Sequence, residues 1–136
     1  MVEFELVEQL PLVSEYQQLR RAVGWYVVDD PATAAGLRNS LYAVCLRHAG
    51  RVVGCGRIVG DSGIYYYIQD ILVLPEFQGR GGGKIIMDAV MQYLQTHAAP
   101  NSFIGLMAAK GVSDFYKRYG FEERPPDRPG MFLVWK

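Results

Sequence analysis

The sequence predicts a mixed α+β fold, and three observations carry that prediction. Four segments in the first half of the chain (Val2–Val7, Leu41–His48, Arg51–Val59 and Ile64–Leu74) read as β-strands by alternation or by aromatic and β-branched content. A glycine-rich turn separates the last of them from a long amphipathic stripe. A short apolar run follows that stripe, so strand, helix and strand form a βαβ unit whose strands run parallel.

The elements follow in order. Val2–Val7 alternates acidic and apolar side chains as a first strand. Ser14 reads as a helix cap, with Gln17 three residues on completing a capping box. Tyr16, Leu19 and Val23 recur at helical spacing, and Gly24 supplies a stop. Asp30-Pro31 opens a second short helix, with aspartate as cap and proline in the first turn. Leu41–His48 and Arg51–Val59 flank a turn at Ala49-Gly50, and Asp61-Ser62-Gly63 marks the next turn. Ile64–Leu74 then completes an antiparallel meander and stops at Pro75, which has no N–H for a ladder.

Ile86, Ala89, Val90, Tyr93 and Leu94 follow the i, i+3, i+4, i+7, i+8 rule of a helix that ends before Pro100. Phe103–Ala108 is the short strand beyond it. A last helix carries Val112, Phe115, Tyr116 and Tyr119 and stops at Gly120, and Gly130–Lys136 reads as a closing strand. The expected result is a central, mostly antiparallel mixed sheet with about four helices packed on it.

A length of 136 residues fits one domain, 1–136, without room for two independent cores. Fourteen basic and fourteen acidic residues cancel, which argues against a nucleic-acid footprint or a membrane-surface patch. No apolar run approaches the roughly 20 residues of a membrane span. Met1–Glu8 lacks the basic start of a signal peptide, so a cytoplasmic location is expected.

Cys45 and Cys55 are too few for a disulfide framework and read as reduced core thiols. A two-residue loop at Ala49-Gly50 would put them on opposite sheet faces, and a three-residue loop would set them directly opposite each other. Neither has a legible histidine and carboxylate partner for nucleophilic work. His48 and His97 lack a second ligand at metal spacing, so no metal is expected.

The strongest chemical signal is Gln78-Gly79-Arg80-Gly81-Gly82-Gly83-Lys84, after a strand and before a helix. A helix N-terminus offers unpaired N–H groups and the positive end of the macrodipole. Glycines let a diphosphate approach those groups, and Arg80 and Lys84 add charge for the same anion. The competing reading is a tight strand-to-helix connection and nothing more. A P-loop is excluded because Ile85, not Ser or Thr, follows Lys84. A dinucleotide fold is disfavoured because the expected carboxylate is missing from Ala98–Ser102.

These residues resemble a known family. Ile68-Gln69-Asp70-Ile71-Leu72-Val73-Leu74-Pro75-Glu76-Phe77-Gln78-Gly79-Arg80-Gly81-Gly82-Gly83 resembles motif A of the GNAT superfamily of N-acetyltransferases, with Gln78, Gly81 and Gly83 meeting its core pattern. Phe115-Tyr116-Lys117-Arg118-Tyr119-Gly120-Phe121 resembles that family's motif B, at the family's usual separation. The resemblance implies acetyl-coenzyme A as co-substrate, a splayed parallel strand pair, and a bulge near Ile71–Val73. The diphosphate would lie on Gln78, Gly79, Arg80, Gly81, Gly82, Gly83 and Lys84, and a backbone N–H near Ile71, Leu72 or Val73 would polarise the thioester carbonyl. It further implies direct attack by a neutral amine, without an acyl-enzyme.

Tyr116 matches the family's general acid and would sit beside the cofactor sulfur. A phenol at about 10 is a fair proton donor to a thiolate titrating near 8.5. By spacing alone, Tyr116 reads rather as a core aromatic beside Phe115 and Tyr119; the motif match is what points to the sulfur. Ala109 stands where many relatives have a pantetheine-holding asparagine, and Gln69 stands where several have a glutamate as base. Asp70 is left as the carboxylate in reach of the cleft, either base or counter-ion, or else a hydrogen-bonded structural aspartate. Trp25, Tyr26 and Tyr67 are candidates for the acceptor wall, where rings suit an amine with an apolar body.

The sequence-level expectation is therefore acetyl transfer to a small-molecule amine. A protein or peptide acceptor and a non-catalytic acyl-CoA-binding module are the alternatives. A homodimer through Met131–Trp135 is a further option.

Overall fold

The computed structural model describes residues 3–136, so Val2 of the expected first strand lies outside the described residues. The chain divides into two compact units, Met1–Leu106 and Met107–Lys136. The first contains a five-stranded sheet in the order β1-β2-β3-β4-β5. Its elements are β1 (Glu5–Val7), α1 (Val13–Ala22), α2 (Asp30–Arg38), β2 (Tyr42–His48), β3 (Arg51–Gly60), β4 (Tyr65–Val73), α3 (Gly82–His97) and β5 (Phe103–Gly105). The first four strands pair antiparallel and β4 pairs β5 in parallel, as a helical crossover requires.

Helix α3 packs on β2, β3 and β4. It buries Ile86, Met87, Val90 and Leu94, whose exposures are 0–3%, each worth about 1.5–3 kcal/mol against exposure to water. Its start sits tight on the sheet: a Cβ at Gly82 would lie 2.8 Å from Leu46 Cδ2. Helix α1 lies against β3 and α2.

The caps of both early helices lie one or two residues before the expected ones. Helix α1 starts at Val13 with Leu12 at the cap position, and the Glu15 carboxylate accepts from the Leu12 N–H at 2.8 Å. Ser14 is therefore already inside the first turn. Gln17 reaches sideways instead, its Nε2 donating to Val28 O at 2.6 Å, Thr33 Oγ1 at 3.1 Å and Asp30 Oδ1 at 3.3 Å. That network ties α1 to α2. Asp29, not Asp30, caps α2 by accepting from the Ala32 N–H at 3.1 Å.

The β2–β3 hairpin resolves the two cysteines in an unexpected way. Its loop is the two-residue Ala49-Gly50, with φ of 51° and 77°, the left-handed pair that a tight hairpin turn needs. That loop alone would send Cys45 and Cys55 to opposite faces. A bulge between Leu46 and Arg47 shifts the register by one residue, and Cys45 pairs directly with Cys55. Both thiols are free and buried. Burial, then the Glu15 charge, pushes Cys45 up to about 11. Burial, then the Asp70 charge, raises Cys55 well above the ordinary thiol value, so neither forms a ready nucleophile.

A second bulge has functional weight. Opposite Cys55–Arg57 on β3, strand β4 carries one extra residue between Gln69 and Leu72. Asp70 lies in the left-handed region at φ 59°, a conformation aspartate tolerates better than most residues. Simple alternation would put Asp70 on the α3 face with Tyr66, whose hydroxyl donates to His97 O at 3.4 Å. The bulge turns Asp70 to the opposite face, where it meets Tyr16 and Arg20 of α1.

Strand β5 is shorter than Phe103–Ala108, and its ladder with β4 covers only Tyr65, Tyr66 and Tyr67. Beyond Tyr67, β4 has no strand partner on that side. The second unit contains α4 (Ser113–Lys117). Gly120 follows at φ 93°, and the Phe121 N–H donates to Tyr116 O at 3.4 Å. The expected closing strand Gly130–Lys136 does not form. A strand needs a ladder, and this segment has none. Its apolar residues are instead exposed, with Met131, Phe132, Leu133 and Trp135 at 79–88%.

Gly54 should tolerate no side chain. A Cβ there would lie 2.8 Å from the Leu72 carbonyl oxygen and 3.4 Å from both Leu46 Cβ and Ile86 Cδ1. Gly54→Ala should cost about 1–3 kcal/mol in urea denaturation, the range for overpacking a rigid site.

Candidate functional site

The glycines of the turn divide by what surrounds them. Gly79 and Gly81 hold φ of 76° and 86°, and a Cβ at either would meet nothing within 4 Å. They are required by backbone conformation and leave open space above the start of α3. Gly81 is the N-cap of α3, and the Ile85 N–H is the first to close onto its carbonyl, at 3.2 Å. The N–H groups of Gly82, Gly83 and Lys84 therefore precede the helical ladder. Open space beside such groups suits a diphosphate.

The side chains of the turn contribute less uniformly. Gln78 Nε2 donates to Val73 O at 2.9 Å, fastening the loop to the end of β4. Lys84 Nζ lies 2.8 Å from Asp88 Oδ2, an exposed pair one helical turn apart. Arg80 is exposed at the crest of the turn. On the neighbouring strand, Leu72 and Val73 are buried, while Ile71 is half-buried. Their main chain runs where β4 has lost its parallel partner.

Asp70 is the best-held polar group in the first unit. Its side chain is 0% exposed. Tyr16 Oη donates to Oδ2 at 2.6 Å and Arg57 Nε to Oδ2 at 2.7 Å. Arg20 Nη1 and Gln69 Nε2 both donate to Oδ1 at 3.2 Å. Arg20 is further fixed by Nε to Tyr26 O at 2.9 Å, and Arg57 by Nη1 to Ser40 Oγ at 3.2 Å. Burial, then the Asp70 charge, pushes the Tyr16 phenol up to about 12, so it stays a donor.

A cavity of about 280 Å³ opens over this cluster, walled by α1, α2, β3 and Gln69 of β4. Tyr16, Arg20, Tyr26 and Arg57 line it, and Asp70 does not. Of the expected acceptor wall, Tyr26 is therefore present, while Trp25 and Tyr67 are absent from the lining. The Arg20 guanidinium lies over the rings of Trp25 and Tyr26 at 5.4 Å and of Tyr16 at 5.6 Å. The cation these rings hold is the protein's own. Tyr67 titrates above the ordinary phenol value because of burial, then the Asp70 charge.

Tyr116 is buried in the second unit, edge-on to Phe115 at 5.1 Å and to Phe121 at 6.4 Å. Burial raises its phenol, which keeps the proton on it. Among the described residues no group of three His, Cys, Asp or Glu could hold a metal, and no helix is long and apolar enough to cross a membrane.

A family model described as the acetyltransferase (GNAT) domain matches residues 38–123. The chain belongs to the GNAT acetyltransferase family. It is 34% identical over 122 residues to the uncharacterized N-acetyltransferase ycf52 of Pyropia yezoensis, covering 87% of this chain and 69% of that protein. It is 32% identical over 131 residues to histone acetyltransferase TAP1 of Glycine max, covering 88% of this chain and 56% of that one. A solved probable acetyltransferase of unknown function from Staphylococcus aureus superposes with a TM-score of 0.92 at 30% identity, over 98% of this chain and all of that one. The chain is thus a GNAT acetyltransferase with the family's five-stranded mixed sheet and flanking helices.

Sequence reasoning singled out Asp70 but missed its three long-range partners. Tyr16 was read only for its helical spacing with Leu19 and Val23, and Arg20 and Arg57 were not singled out at all. The available signal was Arg57 itself, a charge inside the apolar and glycine-rich run Val52–Gly60, since a charge in a buried strand calls for a counter-charge. Removing that counter-charge should be expensive. Asp70→Asn should destabilise the protein by about 3–5 kcal/mol in chemical denaturation, because two largely buried guanidiniums lose their anion.

Proposed function

We propose that this GNAT acetyltransferase transfers the acetyl group of acetyl-CoA directly to the primary amine of a small molecule. The observation that carries the cofactor assignment is the open space at Gly79 and Gly81, where backbone conformation demands glycine and room is left for a diphosphate. Acetyl-CoA, when bound, supplies an acetyl thioester as the group to be transferred.

In this reading the N–H groups of Gly82, Gly83 and Lys84 bind the diphosphate, with Arg80 as an exposed counter-charge and Gln78 holding the loop on Val73. A main-chain N–H of the Ile71–Val73 stretch, freed from a parallel partner, donates to the carbonyl oxygen as charge builds on it. Tyr116 donates the proton that the departing thiolate needs, and its raised phenol guarantees that a proton is there to give. The amine attacks in its neutral form, the C–N bond forms as the C–S bond breaks, and the proton its nitrogen then sheds leaves to water; Asp70 is a positioning residue rather than the base. All four of its neighbours donate to it, so its lone pairs are engaged in fixing Arg20 and Arg57.

A cavity of about 280 Å³ supports a small acceptor. The kinship with a protein named a histone acetyltransferase favours a lysine acceptor as the second reading. Free thiol released from acetyl-CoA, measured over a panel of amines and lysine peptides, separates the two. Cofactor binding with no turnover on either panel would identify a non-catalytic module.

Two variants test the parts. Tyr116→Phe should lower kcat by about 10²-fold with acetyl-CoA Kd nearly unchanged, as read by steady-state kinetics and calorimetry; full activity would remove the acid role. Gly81→Asp puts a carboxylate beside the open N–H groups at the start of α3 and should weaken acetyl-CoA binding about 100-fold or more by calorimetry. Retained affinity would overturn the loop assignment.

A further inference from the structure

The cavity over Asp70 has an electrostatic character that an ordinary amine does not match. Among its lining residues only Arg20 and Arg57 are charged, and both are positive. The one carboxylate that pairs with either, Asp70, lies behind them with its side chain 0% exposed, and Asp30, bonded to Gln17 at 3.3 Å, stands behind the Val28 and Thr33 wall rather than against an arginine. Two guanidiniums against one carboxylate leave an excess of one positive charge at the wall. The aromatic rings that would attract a cationic ligand already hold Arg20.

Neither arginine can swing away to relieve this. Arg57 is clamped by Asp70 at 2.7 Å and by Ser40 Oγ at 3.2 Å, and Arg20 by Tyr26 O at 2.9 Å and Asp70 at 3.2 Å. Their side chains are only 11% and 17% exposed. The contacts to Asp70, Tyr16, Tyr26, Gly36 and Ser40 are made by Nε and Nη1 of each group. A fixed pair of planar donors in a half-enclosed site is suited to an oxyanion.

We propose that this cavity selects acceptors carrying an acidic group, a carboxylate or a phosphate, alongside the amine to be acetylated. The acid pairs with Arg20 and Arg57 and completes the neutralisation that Asp70 begins. The body of the acceptor lies along Tyr16 and Tyr26, and its amine points toward Gln69, beside the bulge of β4. Purely cationic acceptors such as polyamines are repelled. This inference rests on the acetyltransferase reading for its consequence in catalysis, but the binding preference stands by itself.

Calorimetric titration without acetyl-CoA decides it. Phenylalanine and phenethylamine differ by one carboxylate, O-phosphoethanolamine and ethanolamine by one phosphate, and spermidine carries no acid. At least one acid-bearing member should bind about tenfold or more tightly than its acid-free partner, and the pair that shows the gap identifies the oxyanion. Gln69→Glu adds a carboxylate to the wall while keeping both arginines, so the gap should close toward unity. Equal or reversed affinities in both pairs of the unmodified protein, or a gap untouched by Gln69→Glu, would overturn the proposal. Turnover of the same compounds with acetyl-CoA is read separately. Selective binding with no thiol release would sink the reading of a small-molecule acceptor at this cavity and leave the anion preference intact.

Discussion

The buried carboxylate of Asp70 is the constraint on which the packing of α1 against the sheet, and the cavity between them, depends. Removing an aspartate from water costs several kcal/mol unless its oxygens are fully engaged. Here they are, by a phenol, two guanidiniums and an amide drawn from α1, β3 and β4. No two of those elements could shift apart without stranding a charge. A hydrophobic cluster of equal volume would hold them together at least as firmly. What it would not do is fix two guanidiniums at the wall of a cavity.

The same strand explains how a single bulge serves both halves of the proposed chemistry. By adding one residue between Gln69 and Leu72, it turns Asp70 onto the α1 face and returns Ile71 to the α3 face. It also bends β4 where the parallel ladder with β5 has ended. The acceptor pocket and the main-chain edge at Ile71–Val73 are thereby set within a few residues of each other. Glycines make the arrangement possible in two different ways. Gly54, Gly56 and Gly82 are empty because neighbours fill the space. Gly79 and Gly81 are empty because the backbone is left-handed, and there the space stays open.

Most of the fold was legible in the sequence, because it rests on local periodicity. The meander, the helix Gly82–His97 and the crossover follow from alternation, the 3.6-residue stripe and the chirality of βαβ units. Misreadings cluster where a non-local partner decides. Glu15 displaced the expected Ser14 cap, and Gly130–Lys136 had strand composition but no ladder; the pairing of Cys45 with Cys55, left open by turn length, was decided by a bulge at Leu46/Arg47. Of the site, the glycine turn was readable because its function follows from local backbone geometry. The ring of Tyr16, Arg20 and Arg57 around Asp70 was not, since its members lie 13 to 54 residues away in sequence.

Gln69 gains its meaning only in that ring. A glutamate at this position, as the family resemblance leads one to expect, would face Arg20 and Arg57 across the cavity. It would cancel the positive excess, draw the guanidiniums to itself and leave nothing for an acceptor's acid to neutralise. A glutamine keeps the shape and donates to Asp70 at 3.2 Å, but it adds no charge. The departure from the family pattern thus need not be the loss of a base. It is the change of one oxygen for one nitrogen that leaves two arginines with a single carboxylate between them, and so passes the remaining charge balance to the molecule that binds.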